Sequence, residues 1–300
     1  HGESAQRLNP RTARSLYGEI RRQSVTRLER FAQCPFAYFV QYGLHPERIE
    51  PFRLNARDEG SFFHSAVHEF MLASMADLNA LDIPAAEARM DAIADRLLDA
   101  MAADGPLGDS AVTLAERRRL KATARTCAGV LAEHMRESRF QPAALESDFG
   151  VEDGAACLTI NAASGQCTLE GRIDRIDEWL EGGYLRVIDY KRGGRDLALD
   201  AVYHGLSLQL PVYLAAAMKK RGESSAGVYY FNLDEGIMNL QTTDRSEVEK
   251  KRRSQFRLSG VVPDDTDLLK ALSPHYSEVL NVRTTKDGAL YKDTLATDAN

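Results

Sequence analysis

The sequence predicts an α/β architecture: a helical N-terminal part, then a mixed β-sheet with a helix packed on it. Three observations carry this. Apolar residues recur with a period near 3.6 from about residue 24 to 140, and near 2 after Pro142. Gly-containing turns then separate short strand-like runs. A helical stretch at about 203–220 interrupts those runs, as a layered α/β domain requires.

Each element has its own local cause. TRLE at 26–29 reads as a capping box with Thr26 at the N-cap, and Pro35 should end or kink the short helix that follows. A second helix should start near Gly60, with Phe63, Val67, Phe70, Ser74 and Leu78 on one stripe. A third is expected over 85–101. The fourth, about 114–136, sets Leu120, Ala124, Cys127 and Leu131 on a buried face. Strands are predicted at 144–151, 156–161, 167–177 and 184–191, then at 227–233 and 237–242 beyond the helix. From residue 246 to 300 the pattern weakens into a basic helix and turn-rich polar sequence. The expected division is a disordered extension over 1–23, a helical part over 24–143, a sheet core over 144–245 and the weakly patterned segment over 246–300.

Composition sets the bounds. Three hundred residues suggest two domains, or one α/β domain with insertions. Hydrophobic residues at 44% and charged residues at 27% are ordinary globular usage, which excludes wholesale disorder. No apolar run approaches the roughly 20 residues of a membrane helix, so no membrane partner is expected. The Arg-rich start lacks the apolar core of a signal peptide. Four cysteines without CxxC spacing point to a reducing, cytoplasmic setting rather than a disulfide scaffold. The net charge of −6 argues against a purely electrostatic grip on nucleic acid, although a metal-dependent nuclease must itself carry carboxylates. The chain opens with His1 and Gly2 and closes without a terminal element, so a piece of a longer protein is expected.

The sharpest chemical signal is VIDYK at 187–191. On a strand, Asp189 and Lys191 share one face while Ile188 and Tyr190 take the other. If residues 180–183 form a four-residue turn, Trp179 pairs with Tyr184, and counting back along both strands brings Asp174 opposite Asp189. Directly opposite Cβ atoms lie about 4.5–5.5 Å apart. Two such carboxylates repel unless a cation stands between them, and Mg²⁺ (or Mn²⁺) is the natural one. Gln209 and Tyr213, at i and i+4 of a helix, can act together on a phosphate or a base. His64 and His68 also stand at i and i+4, but HSAVH lacks the Glu that follows the first His in zinc metalloproteases. No third ligand has the spacing for a zinc hydrolase.

Five blocks, in order, make the chain resemble the RecB-family branch of the PD-(D/E)xK nucleases, and within it the nuclease domain of AddB-type helicase–nuclease subunits. They are SVTRLERFAQCPF at 24–36, GSFFH at 60–64, GRID at 171–174, VIDYKRG at 187–193 and LQLPVYL at 208–214. The resemblance implies a restriction-endonuclease-like core, a mixed central sheet flanked by helices. It implies Asp174 and Asp189 as metal-binding carboxylates, with His64 and the Tyr190 carbonyl as further ligands. Lys191 would orient water or stabilise phosphorane-like charge, and Gln209 and Tyr213 would hold the DNA backbone. Glu146 matches a weaker acidic position, expected to stand behind the ligands rather than among them. A 4Fe-4S cluster is implied for the full-length parent, with Cys34 as its first ligand. A cluster needs four thiolates and only Cys34 matches here, so none is expected in this chain. Cys127, Cys157 and Cys167 are expected in the core.

The implied activity is Mg²⁺/Mn²⁺-dependent exonucleolytic cleavage of single-stranded DNA ends during double-strand-break repair, beside an AddA-type helicase–nuclease subunit. The competing expectation is a catalytically silent DNA-binding or scaffolding domain. No G-x-x-x-x-G-K-[ST] loop is present, so ATP hydrolysis is not expected of this chain. Basic runs at 117–121, 219–221 and 250–253 with Arg257 read either as solvated helix faces or as a track for single-stranded DNA.

Overall fold

The computed structural model describes residues 9–17, 22–46, 54–104, 111–150, 158–162, 165–193, 196–235, 243–285, 289–291, 294 and 296–297. The chain starts with α1 (Pro10–Tyr17), β1 (Arg22–Ser24), α2 (Val25–Gln33) and α3 (Pro35–Phe39). Both α1 and the start of β1 lie within the stretch expected to be a disordered or tag-proximal extension, and β1 pairs in parallel with a later strand. The cap of α2 is Ser24, whose hydroxyl accepts the Arg27 N–H at 3.3 Å. It displaces Thr26 because pairing of β1 holds Ser24 extended, as an N-cap must be. Cys34 is extended as well, which ends α2 and lets Pro35 open α3.

Three long helices follow: α4 (Ala56–Ser74), α5 (Ile83–Asp104) and α6 (Ala111–Arg136). Phe63, Val67, Phe70 and Ser74 are buried along α4, and Leu78 is buried just beyond its end. Asn55 and Asp58 form a reciprocal capping box at the start of α4. Then come β2 (Gln141–Phe149), β3 (Leu158–Ala162), β4 (Gly165–Trp179), β5 (Tyr184–Lys191), α7 (Leu199–Tyr203), α8 (Gln209–Arg221) and β6 (Ser224–Asn232). The helix expected at 203–220 is thus α8, which starts only at Gln209, and the short α7 ends where that helix was expected to begin. Gly205, at φ +74, closes α7, with the N–H groups of Gly205 and Leu206 returning to the Val202 and Ala201 carbonyls. The segment after residue 246 is more ordered than its pattern suggests: α9 (Arg245–Arg253), β7 (Leu258–Pro263), α10 (Thr266–Leu272), α11 (Tyr276–Val279) and β8 (Ala296–Thr297). The strand-like run at 237–242 lies outside the described residues.

The main sheet runs β2-β4-β5-β6-β7, antiparallel throughout except for the parallel pair β5–β6, whose crossover carries α7 and α8. The first half of β4 also pairs with β3 and β1. Period-2 alternation on β5 and β6 feeds two cores, one on each face. Ile188, Tyr190, Tyr229 and Phe231 pack with α4–α6. Leu185, Val187, Val228 and Tyr230 pack with Leu210, Tyr213, Ala216 and Ala217 of α8. This is the mixed sheet flanked by helices that the sequence predicts.

Under the α6 face lies a fully buried ion triad. Arg175 donates twice to Asp177 at 2.6 Å, and Arg186 donates to it at 2.8 Å. Burial would raise the Asp177 carboxyl, but the two guanidiniums bring it below its ordinary range. Arg175 also donates to the Tyr190 hydroxyl at 3.3 Å, so the triad braces β5 from behind.

Candidate active site

The site forms where β4 and β5 part. Their ladder runs from Trp179↔Tyr184 to Arg175↔Ile188, the register counted from the four-residue turn. One step further the strands have separated, and the Tyr190 N–H donates to Asp174 Oδ2 at 2.7 Å. Lys191 Nζ meets Asp189 Oδ2 at 2.6 Å, as alternation along the strand requires. From α4, His64 places Nδ1 3.6 Å from Asp174 Oδ2. On the other side, β2 pairs Leu145 with Arg175 and Ser147 with Ile173, which sets Glu146 opposite Asp174. Glu146 lies at φ +48, a left-handed conformation uncommon for a non-glycine residue in a strand. One ligand atom each from His64, Glu146 and Asp174 lies within 4.8 Å of the other two. Glu146 thus lies within ligand distance of His64 and Asp174, and its backbone holds strain of about 1–3 kcal/mol of the kind found at functional sites.

The electrostatics follow from burial. Asp189 has no exposed side-chain surface, and apart from the Lys191 ion pair neither of its oxygens meets a donor. Burial pushes its carboxyl from 3.8 to about 6, with Lys191 opposing and Asp174 adding to the rise. Burial likewise raises Asp174 to about 6 against the pull of the Tyr190 N–H and Lys191. His64 is lowered, first by burial and then by the Lys191 cation, which favours the neutral imidazole that metals bind. Two carboxylates and an imidazole are donors that suit a hard divalent cation. Neither Asp189 nor His68 belongs to the cluster of His64, Glu146 and Asp174, although Asp189 is buried close enough to Asp174 and His64 to feel their charges.

Residues 22–283 match the family described as the PD-(D/E)XK nuclease superfamily. The chain belongs to that superfamily. Its similar proteins include the B subunit of the ATP-dependent helicase/deoxyribonuclease of Acetivibrio thermocellus, 35% identical over 94% of this chain and 26% of the relative. The protein of the same name from Desulforudis audaxviator is 37% identical over 89% of this chain and 24% of the relative. That from Alkaliphilus oremlandii is 30% identical over 99% and 27%. The chain spans about a quarter of the length of these relatives.

Around these carboxylates the other expected residues are distributed unevenly. Gln209 Nε2 donates to the Tyr213 hydroxyl at 3.0 Å, which joins the two side chains on one face of α8. Burial raises the Tyr213 hydroxyl well above its ordinary range, and the charges of Asp189 and Asp174 add to the rise. Gly171 of the GRID block has a steric reason: a Cβ there would stand 2.8 Å from the Phe149 ring and 3.2 Å from that of Tyr213. Cys34 caps α3, its Sγ accepting the Ala37 N–H at 3.5 Å. Cys127 is core; Cys167 is only half-buried, because it sits on the first half of β4, outside the helix-covered sheet. Cys157 lies outside the described residues.

Two supporting residues escape sequence reasoning. Glu29 Oε1 accepts the N–H groups of Leu208 and Gln209 at 2.6 and 3.0 Å, capping α8 from α2. Arg192 pairs with Glu59 of α4 at 2.7 Å and Asp234 after β6 at 2.9 Å, tying the helix that carries His64 to the strand that carries Lys191. Both depend on contacts far apart in the chain, which no local pattern announces.

Proposed function

We propose that this chain is a Mg²⁺- or Mn²⁺-dependent deoxyribonuclease domain that cleaves single-stranded DNA ends exonucleolytically. We place it in a cytoplasmic helicase–nuclease complex for double-strand-break repair, with an AddA-type subunit as partner. The observation that carries the reading is the buried Asp189, with an unmatched oxygen, held beside Asp174 and Lys191 where β4 and β5 separate.

In this reading Asp174, Asp189, Glu146 and His64 would hold the cation, together with the Tyr190 carbonyl. A cation bound there would supply hydroxide near neutral pH and polarisation of the phosphoryl oxygen. Lys191, fixed on a rigid strand, presents its ammonium to the charge that develops on the phosphate and orients the attacking water. Gln209 and Tyr213 hold the DNA backbone in line. The low basicity of His64 keeps it a ligand rather than a competing acid.

The test is cleavage of a labelled single-stranded oligonucleotide with Mg²⁺ or Mn²⁺, comparing the wild-type chain with Asp189→Ala and Lys191→Ala. Cleavage should depend on the metal and fall by at least about 10³-fold in either variant. Equal inertness of all three with both metals would leave a silent DNA-binding domain instead.

A further inference from the structure

An open cleft of about 430 Å³ lies at the carboxyl ends of the parallel strands β5 and β6. This is the position at which open α/β sheets take ligands, and the size is that of a small-molecule site. Lys191 lines the cleft and also meets Asp189, so the cleft adjoins the carboxylate centre. The walls come from Asn232, Gln255, Arg257, Ser259 and Asn281. Asn232 Nδ2 donates to the carbonyls of Asp234 and Gln255 at 2.6 and 3.1 Å, which fastens the end of β6 to the turn before β7. Arg257 is anchored by its Nε on the Glu278 carbonyl at 3.1 Å. The cleft is therefore built by several elements and braced, not left between loose loops.

Its chemistry selects an occupant. Asn232, Gln255 and Asn281 bring side-chain amides and Ser259 a hydroxyl, and the charges of Lys191 and Arg257 balance those of Asp196 and Asp234. Asp234 is already held by Arg192, and Asp196 accepts from the Ser259 hydroxyl, so the lining has no surplus charge to offer a second phosphate. A sugar and base, which present hydroxyl, amino and carbonyl groups without charge, suit that balanced polar lining. We infer that the cleft binds the deoxynucleoside adjoining the scissile phosphate, with Lys191 touching that phosphate. The inference rests on the nuclease reading above, and adds to it a nucleoside subsite on the β6–β7 side of Lys191.

Two measurements test it. The side-chain amide NMR signals of Asn232, Gln255 and Asn281 are followed during titration with thymidine 5′-monophosphate in Ca²⁺. Oligonucleotides carrying one abasic residue at successive positions are then cleaved by the wild-type chain, by Asn281→Trp and by Ser259→Phe, each of which fills the cleft from a different wall. The amide signals should shift, and an abasic residue beside the cut should lower kcat/KM about tenfold. The filled variants should lose about as much on intact DNA and become indifferent to the abasic residue. Unmoved amides, or filled variants that cleave intact DNA like wild type and keep its abasic penalty, would overturn the subsite while the nuclease reading stands. Shifted amides in a wild-type chain that cleaves nothing with either metal would support the subsite and overturn the nuclease reading.

Discussion

Asp189 has no solvent of its own and depends on neighbours for every charge it carries. Burial places its carboxyl and that of Asp174 at about 6, above the ordinary 3.8. A carboxyl raised by folding stabilises the fold below its unfolded value, and that contribution is lost as pH climbs through the folded value. The metal-free chain should therefore lose stability between about pH 4 and 6, and Asp189→Asn should flatten that part of its Tm profile. Cation binding needs the ionised forms, so it runs the other way: Mn²⁺ affinity, read by calorimetry, should weaken by at least about tenfold from pH 7 to pH 5. A pH-independent affinity would contradict the assignment of these carboxylates as ligands. Asp177 has a different task. Asp177→Asn leaves Arg175 and Arg186 buried against a neutral partner and should cost about 3–5 kcal/mol in urea unfolding.

The cap that Glu29 gives α8 shows how a helix is aimed. Leu208, the N-cap residue, offers no side-chain bond of its own, and Glu29 supplies it across the fold. Glu29→Ala should cost about 1 kcal/mol of stability, and should raise KM for single-stranded DNA more than it lowers kcat, because Gln209 loses its fixed start. Much at this scale is legible in the sequence. The β5 strand, the turn that sets its register, and the buried stripes of α4 and α6 all follow from local periodicity. Ser24 and Thr26 are equally good caps, and only the pairing of β1 with β4 decides between them. The strand β7 is held by pairing with β6 rather than by its own pattern, and the approach of Glu146 to His64 and Asp174 needs a register between β2 and β4 that no single segment contains.

Among the described residues, the three basic runs are in part ion-paired. Arg117 pairs with Asp99, Arg119 with Glu59, Lys121 with Asp95, Arg221 with Glu178, Arg252 with Glu235 and Arg253 with Glu133. These ion pairs reduce the number of counterions that the runs would release on meeting DNA. Binding of single-stranded DNA in Ca²⁺, followed by fluorescence anisotropy, should show a log K versus log salt slope of magnitude about 3 or less. A much steeper slope would mean that these ion pairs open to meet phosphates. The turn at 180–183 has a consequence of another kind. Its four residues set which side chain of β4 stands beside Asp189, and a shift of one position would turn Asp174 to the opposite face. The turn is also constrained in kind: Gly183 lies at φ +70, and a Cβ on Gly182 would run into the Trp179 ring. A residue added to or removed from that turn should therefore part the two aspartates, whereas a residue added elsewhere in the sheet's connections should leave them side by side.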